Sequence, residues 1–169
     1  MVYNDAMLYP GPQQLYTTDV DTQLQQFIEQ KRYTISRSLD GLTELESRMK
    51  LVPSKTTLLG LVKHAIYVEK LWFQEARIGS EKPHQNIANG PDESFELTKE
   101  DSISSVLQQF EVACQESRSA VQATPGSEIW PGHNRGPLSV YWILLHVLQE
   151  HAQHCGHIDI LREQILATR

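Results

Sequence analysis

Four stretches of about 20 to 28 residues carry apolar side chains at helical spacing, and this pattern constrains the fold more than any other feature of the chain. They cover residues 20–39, 56–79, 98–123 and 139–166. No segment alternates apolar and polar residues with the period of two that is typical of a strand. Each helix must bury its apolar face against another, so the sequence predicts an all-α four-helix bundle.

The segments between these stretches are polar and rich in Pro and Gly. Residues 1–17 show no helical period and are predicted to form an irregular N-terminal arm, with residues 18–169 as a single bundle domain. Long loops are predicted between helices two and three and between helices three and four. Thr98 and Asp101 resemble a capping box that opens the third helix. Trp130 and His133 lie in the second long loop, where we expect both to be exposed.

Composition excludes several classes of protein. A formal net charge of -6 without a basic cluster argues against a nucleic-acid partner. No apolar run reaches the length of about 18 residues that a membrane span needs, and the N-terminus lacks the pattern of a secretory signal. Only Cys114 and Cys155 are present, without a CxxC motif, so a reduced cytoplasmic location is predicted.

The segment 145–163, LHVLQEHAQHCGHIDILRE, concentrates residues that can bind metal. Each helical residue advances about 100° around the axis, which places His146, Glu150, His154 and His157 on one stripe and His151 off it. An imidazole and a carboxylate at i, i+4 spacing can reach a common point above one turn. This stripe therefore predicts a pair of metal ligands.

A third ligand is available from the second helix, where His64 lies among apolar neighbours. Facing helices of a bundle share an interior, so His64 and two residues of the last helix would form a three-ligand site with open positions, as in catalytic zinc sites. Spacing alone leaves several pairs open, namely His146/Glu150, Glu150/His154, His151/His154 and His154/His157. The simpler alternatives are a satisfied core histidine at position 64 and a histidine-rich solvated face without metal.

Two helices and a loop resemble one protein family. The segment LVPSKTTLLGLVKHAIYVEKLWF, the following Trp-Pro-Gly loop and LLHVLQEHAQHCGHIDILRE resemble the DinB-like superfamily, and more closely the branch known as DUF664. That branch is similar to the N-terminal metal-binding domain of mycothiol-dependent maleylpyruvate isomerase. The resemblance covers residue 20 to the C-terminus. It implies a four-helix bundle that holds a divalent metal through His64, Glu150 and His154.

The resemblance also implies an activity. Relatives use the metal to deprotonate a small cellular thiol such as mycothiol or bacillithiol, so we expect a metal-dependent thiol S-transferase or detoxification enzyme. One divalent metal is expected: zinc fits the ligands, and nickel, iron or manganese would also be accommodated. His146, His157 and Trp130 are expected to line the site or bind the thiol cosubstrate. Isomerisation itself is not expected, because the chain ends at Arg169 without the isomerase's second domain.

A non-catalytic protein is the alternative. It would be a metal-stabilised helical bundle that forms a homodimer and serves a stress response, with a poorly exchangeable metal and a closed pocket. A di-iron carboxylate bundle needs a Glu-x-x-His motif on two helices, and Glu69 on the second helix is followed at i+3 by Trp72. The expected partners are accordingly a second copy of the chain, a small thiol and an electrophile.

Overall fold

The computed structural model describes residues 16–79, 87–132 and 134–169, and these are mainly helical. Their elements, in chain order, are α1 (Val20–Arg37), α2 (Glu44–Ser47), α3 (Leu58–Lys70), a π-helical segment (Leu71–Glu75), α4 (Ala76–Ile78), α5 (Pro91–Ser94), α6 (Ile103–Val121), β1 (Ile129–Trp130), β2 (Leu138–Ser139) and α7 (Val140–Leu166). The prediction of an all-α fold is confirmed. Most of the predicted N-terminal arm lies outside the described residues.

The long helices pack against one another through their apolar side chains. Helix α1 packs along α7, and α3 packs against both α6 and α7. Two clusters of buried side chains fill the interior: one includes Leu59 and Phe110, and the other includes Phe73 and Ile143. Burial of each such side chain stabilises the fold by about 1.5–3 kcal/mol. Within the described ranges, no helix is both long enough and apolar enough to cross a membrane.

The third long helix begins later than its sequence suggests. The backbone N–H of Thr98 does donate to Asp101 Oδ2, at 2.6 Å, but this contact closes a turn before the helix. Asp101 also pairs with Lys63 of α3 at 2.7 Å. Helix α6 starts after Ser102, which forms a capping box with Ser105. The predicted cap at Thr98 is wrong because two capping patterns follow each other and only the second continues into helical backbone.

The second long helix is not a regular α-helix throughout. After Lys70 it passes through one π-helical segment and returns to a short α-helical turn. It ends at Gly79, whose φ of 70° is the left-handed conformation that glycine adopts readily at a helix C-terminus. A π-helical turn inserts an extra residue and shifts the side chains that follow it, and such turns are frequent at functional sites. Here the turn contains Trp72.

The loop before α7 contains a short antiparallel pair. Ile129 lies opposite Ser139, and Trp130 opposite Leu138. The expectation that Trp130 is exposed is wrong, since its side chain is only 3% exposed and packs in the cluster that contains Phe73. The strand pair turns this indole inward, a contact that local sequence does not encode. His133 lies outside the described residues.

Candidate metal site

Three side chains meet between α3 and α7. His64, Glu150 and His154 each offer one ligand atom, and these atoms lie within 4.8 Å of one another. The Nε2 atom of His154 is 3.5 Å from Glu150 Oε2, one helical turn away. The rings of His64 and His154 meet edge to face, with centroids 4.6 Å apart. Of the four pairs that spacing leaves open on the last helix, the structure brings Glu150/His154 together with His64.

The two histidines of this cluster are buried, and the carboxylate is half-buried. His64 is 4% exposed and His154 is 8% exposed, whereas Glu150 also lines a cavity. Burial, together with the neighbouring His154, lowers the pKa of His64 to about 3. Burial lowers the pKa of His154 as well, although Glu150 opposes this effect. Both imidazoles are therefore neutral at pH 7, which is the form that binds a metal ion.

The hydrogen bonds of Ser94 determine which nitrogen of His64 is free. Ser94 Oγ lies 2.6 Å from His64 Nδ1 and donates its own proton to the carbonyl oxygen of Pro91. Because a hydroxyl has only one proton, Nδ1 must be the donor in the first contact. The Nε2 atom then carries a lone pair. Serine thus holds His64 in the tautomer that coordinates metal through Nε2, as outer-shell partners of metal-binding histidines usually do.

A close backbone approach makes this contact possible. A Cβ atom at Gly60 would lie only 2.9 Å from the carbonyl oxygen of Phe95. Glycine therefore lets the segment after α5 lie directly against α3. The ring of Phe95 stacks on His64, with centroids 4.1 Å apart and planes 9° from parallel. Phe95 and Ser94 together hold the imidazole in one orientation.

We predict that Ser94→Ala weakens metal binding by about 10- to 100-fold, because His64 loses the acceptor that selects its tautomer. Competition with a chromophoric chelator measures this affinity. Ser117→Ala is the matched control, since Ser117 is also buried and also donates to a backbone carbonyl, that of Ala113, within α6. Equal affinities of Ser94→Ala and the wild-type protein would contradict the assigned tautomer.

The donor set fits a divalent metal ion. Two neutral imidazoles and one carboxylate are a ligand combination of catalytic zinc sites. The Nδ1 atom of His154 is buried without a hydrogen-bond partner among the described residues. A buried nitrogen without a partner is unusual in a folded protein, and the other nitrogen of this ring, Nε2, is the one that faces Glu150.

A cavity of about 330 Å³ adjoins the cluster. His64 and Glu150 form part of its wall, and His146 lies beside them. The imidazole of His146 stacks on Trp142, with centroids 4.8 Å apart, and meets Trp72 edge to face at 4.5 Å. The other lining residues are Tyr67, Val68, Leu71, Asn89, Gly90, Pro91, Asn134 and Arg135. The arrangement can hold a small molecule against the candidate ligands.

The three residues predicted to bind a thiol cosubstrate are not brought together. Only His146 lines the cavity. His157 is exposed, 5.6 Å from His154 between ring centroids, and faces a separate groove that Ile160 also lines. Trp130 is buried in the apolar core. His157 lies apart from the cavity because its side chain projects from α7 into solvent.

Sequence reasoning missed two residues of this site. Arg135 lies at the cavity, with its Cζ atom 5.9 Å from the ring centroids of both Trp72 and Trp142. The only feature of the sequence that could have indicated Arg135 is its position as a cation between polar residues and Gly136 in the loop. Ser94 belongs to a four-residue helix within a segment predicted as loop. Its one signal is Pro91, which occupies the first helical position.

His151, which lies off the stripe of candidate metal ligands, is not exposed. It is fully buried, and its Nε2 atom lies 2.8 Å from Glu69 Oε1. Glu69 also accepts two hydrogen bonds from Arg32, at 2.8 and 2.6 Å. Burial alone would raise the pKa of Glu69, but Arg32 and His151 hold it well below its usual range. This buried network joins α1, α3 and α7 directly behind the candidate metal ligands.

Cys155 follows His154 but is not part of the cluster. Its side chain is 6% exposed, and burial raises the pKa of its thiol to about 11. The nucleophilic thiolate is therefore not formed near neutral pH. Cys155 is therefore a buried residue of the core and not a nucleophile.

The fold and the cluster define a class of helical bundles with a candidate metal site between the second and last long helices. The model of the mycothiol-S-transferase (MST) family matches residues 23–167. The chain therefore belongs to the mycothiol-S-transferase family, which is part of the DinB-like superfamily, and the resemblance of its sequence to that superfamily is confirmed. No curated protein matches the chain.

Proposed function

We propose that this protein is a metal-dependent thiol S-transferase that joins mycothiol, or a similar small thiol, to an electrophile. The observation that supports this most directly is the cluster of His64, Glu150 and His154 beside a cavity, in a member of the mycothiol-S-transferase family. Zinc is the metal we propose, since two imidazoles and a carboxylate suit it.

His64, Glu150 and His154 would hold the metal, and a divalent ion bound there would lower the pKa of a coordinated thiol. Ser94 keeps His64 in the correct tautomer. Neutral His146, whose pKa burial lowers, can accept a hydrogen bond from a polar group of the thiol. Trp72 provides an apolar wall that limits water around the sulfur.

The proposed reaction is a nucleophilic substitution at carbon. The thiol gives up its proton to solvent, and the sulfur uses an electron pair to form a new carbon–sulfur bond. The leaving group departs with the electrons of the bond that breaks. No oxidant or reductant is needed. The contribution of the protein is to form the thiolate and to hold both reactants in one cavity.

The non-catalytic alternative predicts a closed pocket. The cavity beside the cluster instead has the exposed residues Asn89, Pro91 and Arg135 among those that line it. A small molecule could therefore reach the candidate ligands, which favours the enzyme. The homodimer stays a prediction.

The test is thiol conjugation by protein of known metal content. Untagged protein would be stripped with a chelator and reloaded with zinc, and then supplied with mycothiol and the neutral electrophile para-chloromethylbenzamide. We expect about one zinc per chain and formation of the thioether above the uncatalysed rate only after reloading. Stripped protein is the internal control. Full zinc loading without conjugation of mycothiol or bacillithiol, either to this electrophile or to para-chloromethylbenzoate, would reject the transferase and support the non-catalytic bundle.

A further inference from the structure

Arg135 is a cation at the cavity for which the proposed reaction has no use. Its Cζ atom lies 5.9 Å from the ring centroids of Trp72 and Trp142, so the guanidinium is held over two indoles. The contact is of the cation–π type. Among the described residues, no carboxylate forms an ion pair with this arginine, whereas Arg32, Arg118 and Arg169 each have one.

The charged side chains of the cavity wall would favour an anionic ligand. Among the described residues that line the cavity, Glu150 and Arg135 are the charged ones. Glu150 belongs to the candidate metal cluster, so its negative charge would be offset there when a divalent ion is bound. The cavity would then have a positive end at the cluster and a second positive group at Arg135. A guanidinium presents paired N–H donors that match a carboxylate.

Resting on the proposed function, we propose that the electrophile of this enzyme carries a carboxylate, which Arg135 binds while the reacting carbon faces the candidate metal ligands. Arg135 is in this view a specificity-determining residue. The cavity volume of about 330 Å³ is at the lower end of the range for small-molecule sites, so the electrophile is small. The aromatic side chains of Tyr67 and Trp72 in the cavity wall suit a planar molecule.

The first test measures binding and does not depend on catalysis. Benzoate and benzamide have the same shape and differ in charge, and both are unreactive. Tryptophan fluorescence of the zinc-loaded protein reports their binding, because the indole of Trp72 lines the cavity and the indole of Trp142 contacts that of Trp72. We expect benzoate to bind more tightly than benzamide. Arg135→Gln should weaken the binding of benzoate by about ten-fold and leave the affinity for benzamide nearly unchanged.

The matched control is Arg77→Gln. Arg77 also lies 5.9 Å over an indole, that of Trp130, but it is outside the cavity. It should leave the affinities of both ligands unchanged. If benzoate binds through the metal alone, Arg135→Gln will bind it as tightly as the wild-type protein does, and the proposal is overturned.

The second test uses a reactive pair, para-chloromethylbenzoate and para-chloromethylbenzamide, with mycothiol held constant. In each case the thiol loses a proton, the benzylic carbon–sulfur bond forms, and chloride leaves with the electrons of the carbon–chlorine bond. We expect Arg135→Gln to reduce the ratio of kcat/KM for the benzoate to kcat/KM for the benzamide by about ten-fold. A raised KM for mycothiol with an unchanged ratio would assign the arginine to the thiol and overturn the proposal.

The two tests separate this inference from the proposed function. Failure to conjugate either electrophile rejects the transferase but leaves the benzoate binding measurement intact. Benzoate binding that depends on Arg135 then still identifies a carboxylate site. Conjugation of both electrophiles with an unchanged ratio retains the transferase and rejects the role of Arg135.

Discussion

Glu150→Ala is expected to lose its bound metal and, with it, thiol transfer. Losing an outer-shell partner reduces metal affinity by about 10- to 100-fold, and removing one of the three protein ligands should reduce it by more. We expect metal affinity to fall by at least about 1000-fold, equivalent to about 4 kcal/mol. His64→Ala should behave in the same way, because its Nε2 lone pair is the contribution of α3 to the site. Elemental analysis and chelator competition measure both losses.

Two further variants make this result specific. His157→Ala is the control, since His157 is exposed on the same helix and lies outside the three-residue cluster. Glu150→His should keep substantial metal affinity, because imidazole is itself a zinc ligand. Metal content that stays at the wild-type level in both Glu150→Ala and His64→Ala would place the metal elsewhere and reject the site. Circular dichroism of the metal-free proteins separates ligand loss from misfolding.

The second large effect concerns stability rather than the site. Glu69→Ala would leave the buried guanidinium of Arg32 without its bidentate partner and remove the acceptor of His151. The Glu69 side chain is completely buried and that of Arg32 is 7% exposed, so water cannot replace the lost contacts. Breaking a buried ion pair in this way costs about 3–5 kcal/mol. Urea denaturation of the metal-free protein measures the change.

The control and the rescue for Glu69→Ala come from the same chain. Glu96→Ala removes an exposed ion pair with Lys55, and we expect little change in the free energy of unfolding. The double variant Arg32→Met with Glu69→Met removes both charges together. It should recover much of the loss, because apolar replacement of a whole buried pair is often neutral. A Glu69→Ala protein as stable as Glu96→Ala would show that the network contributes little.

Local sequence patterns were sufficient to predict the long helices and part of the candidate metal site. Apolar spacing along 20–39 and 139–166 predicts α1 and α7 closely, because helical period depends on neighbours three and four residues apart. The same spacing places Glu150 and His154 one turn apart on α7. It could not choose among four ligand pairs, since each satisfies the same local geometry. The family resemblance selected the pair that the structure assembles with His64.

Contacts between residues that are distant in sequence could not be predicted from such patterns. His151 and Trp130 look like surface residues in their own segments, yet both are buried. His151 is buried because Glu69 and Arg32 approach it from two other helices, and Trp130 because β1 pairs with β2. The positions of Ser94 and Arg135 depend in the same way on segments that are distant in sequence or poorly patterned. The contacts of these residues with distant segments have no signature within one helical turn.

By itself the sequence determined the helical class of the protein, its family and the three candidate metal ligands, because these depend on short-range periodicity and on motifs. Only the tertiary structure decided how those ligands are supported and what surrounds them. It set the tautomer of His64, the buried charge network behind α7 and the cavity that contains Arg135. Hydrogen bonds and burial act through space between distant segments, so their effects emerge only when the helices are packed.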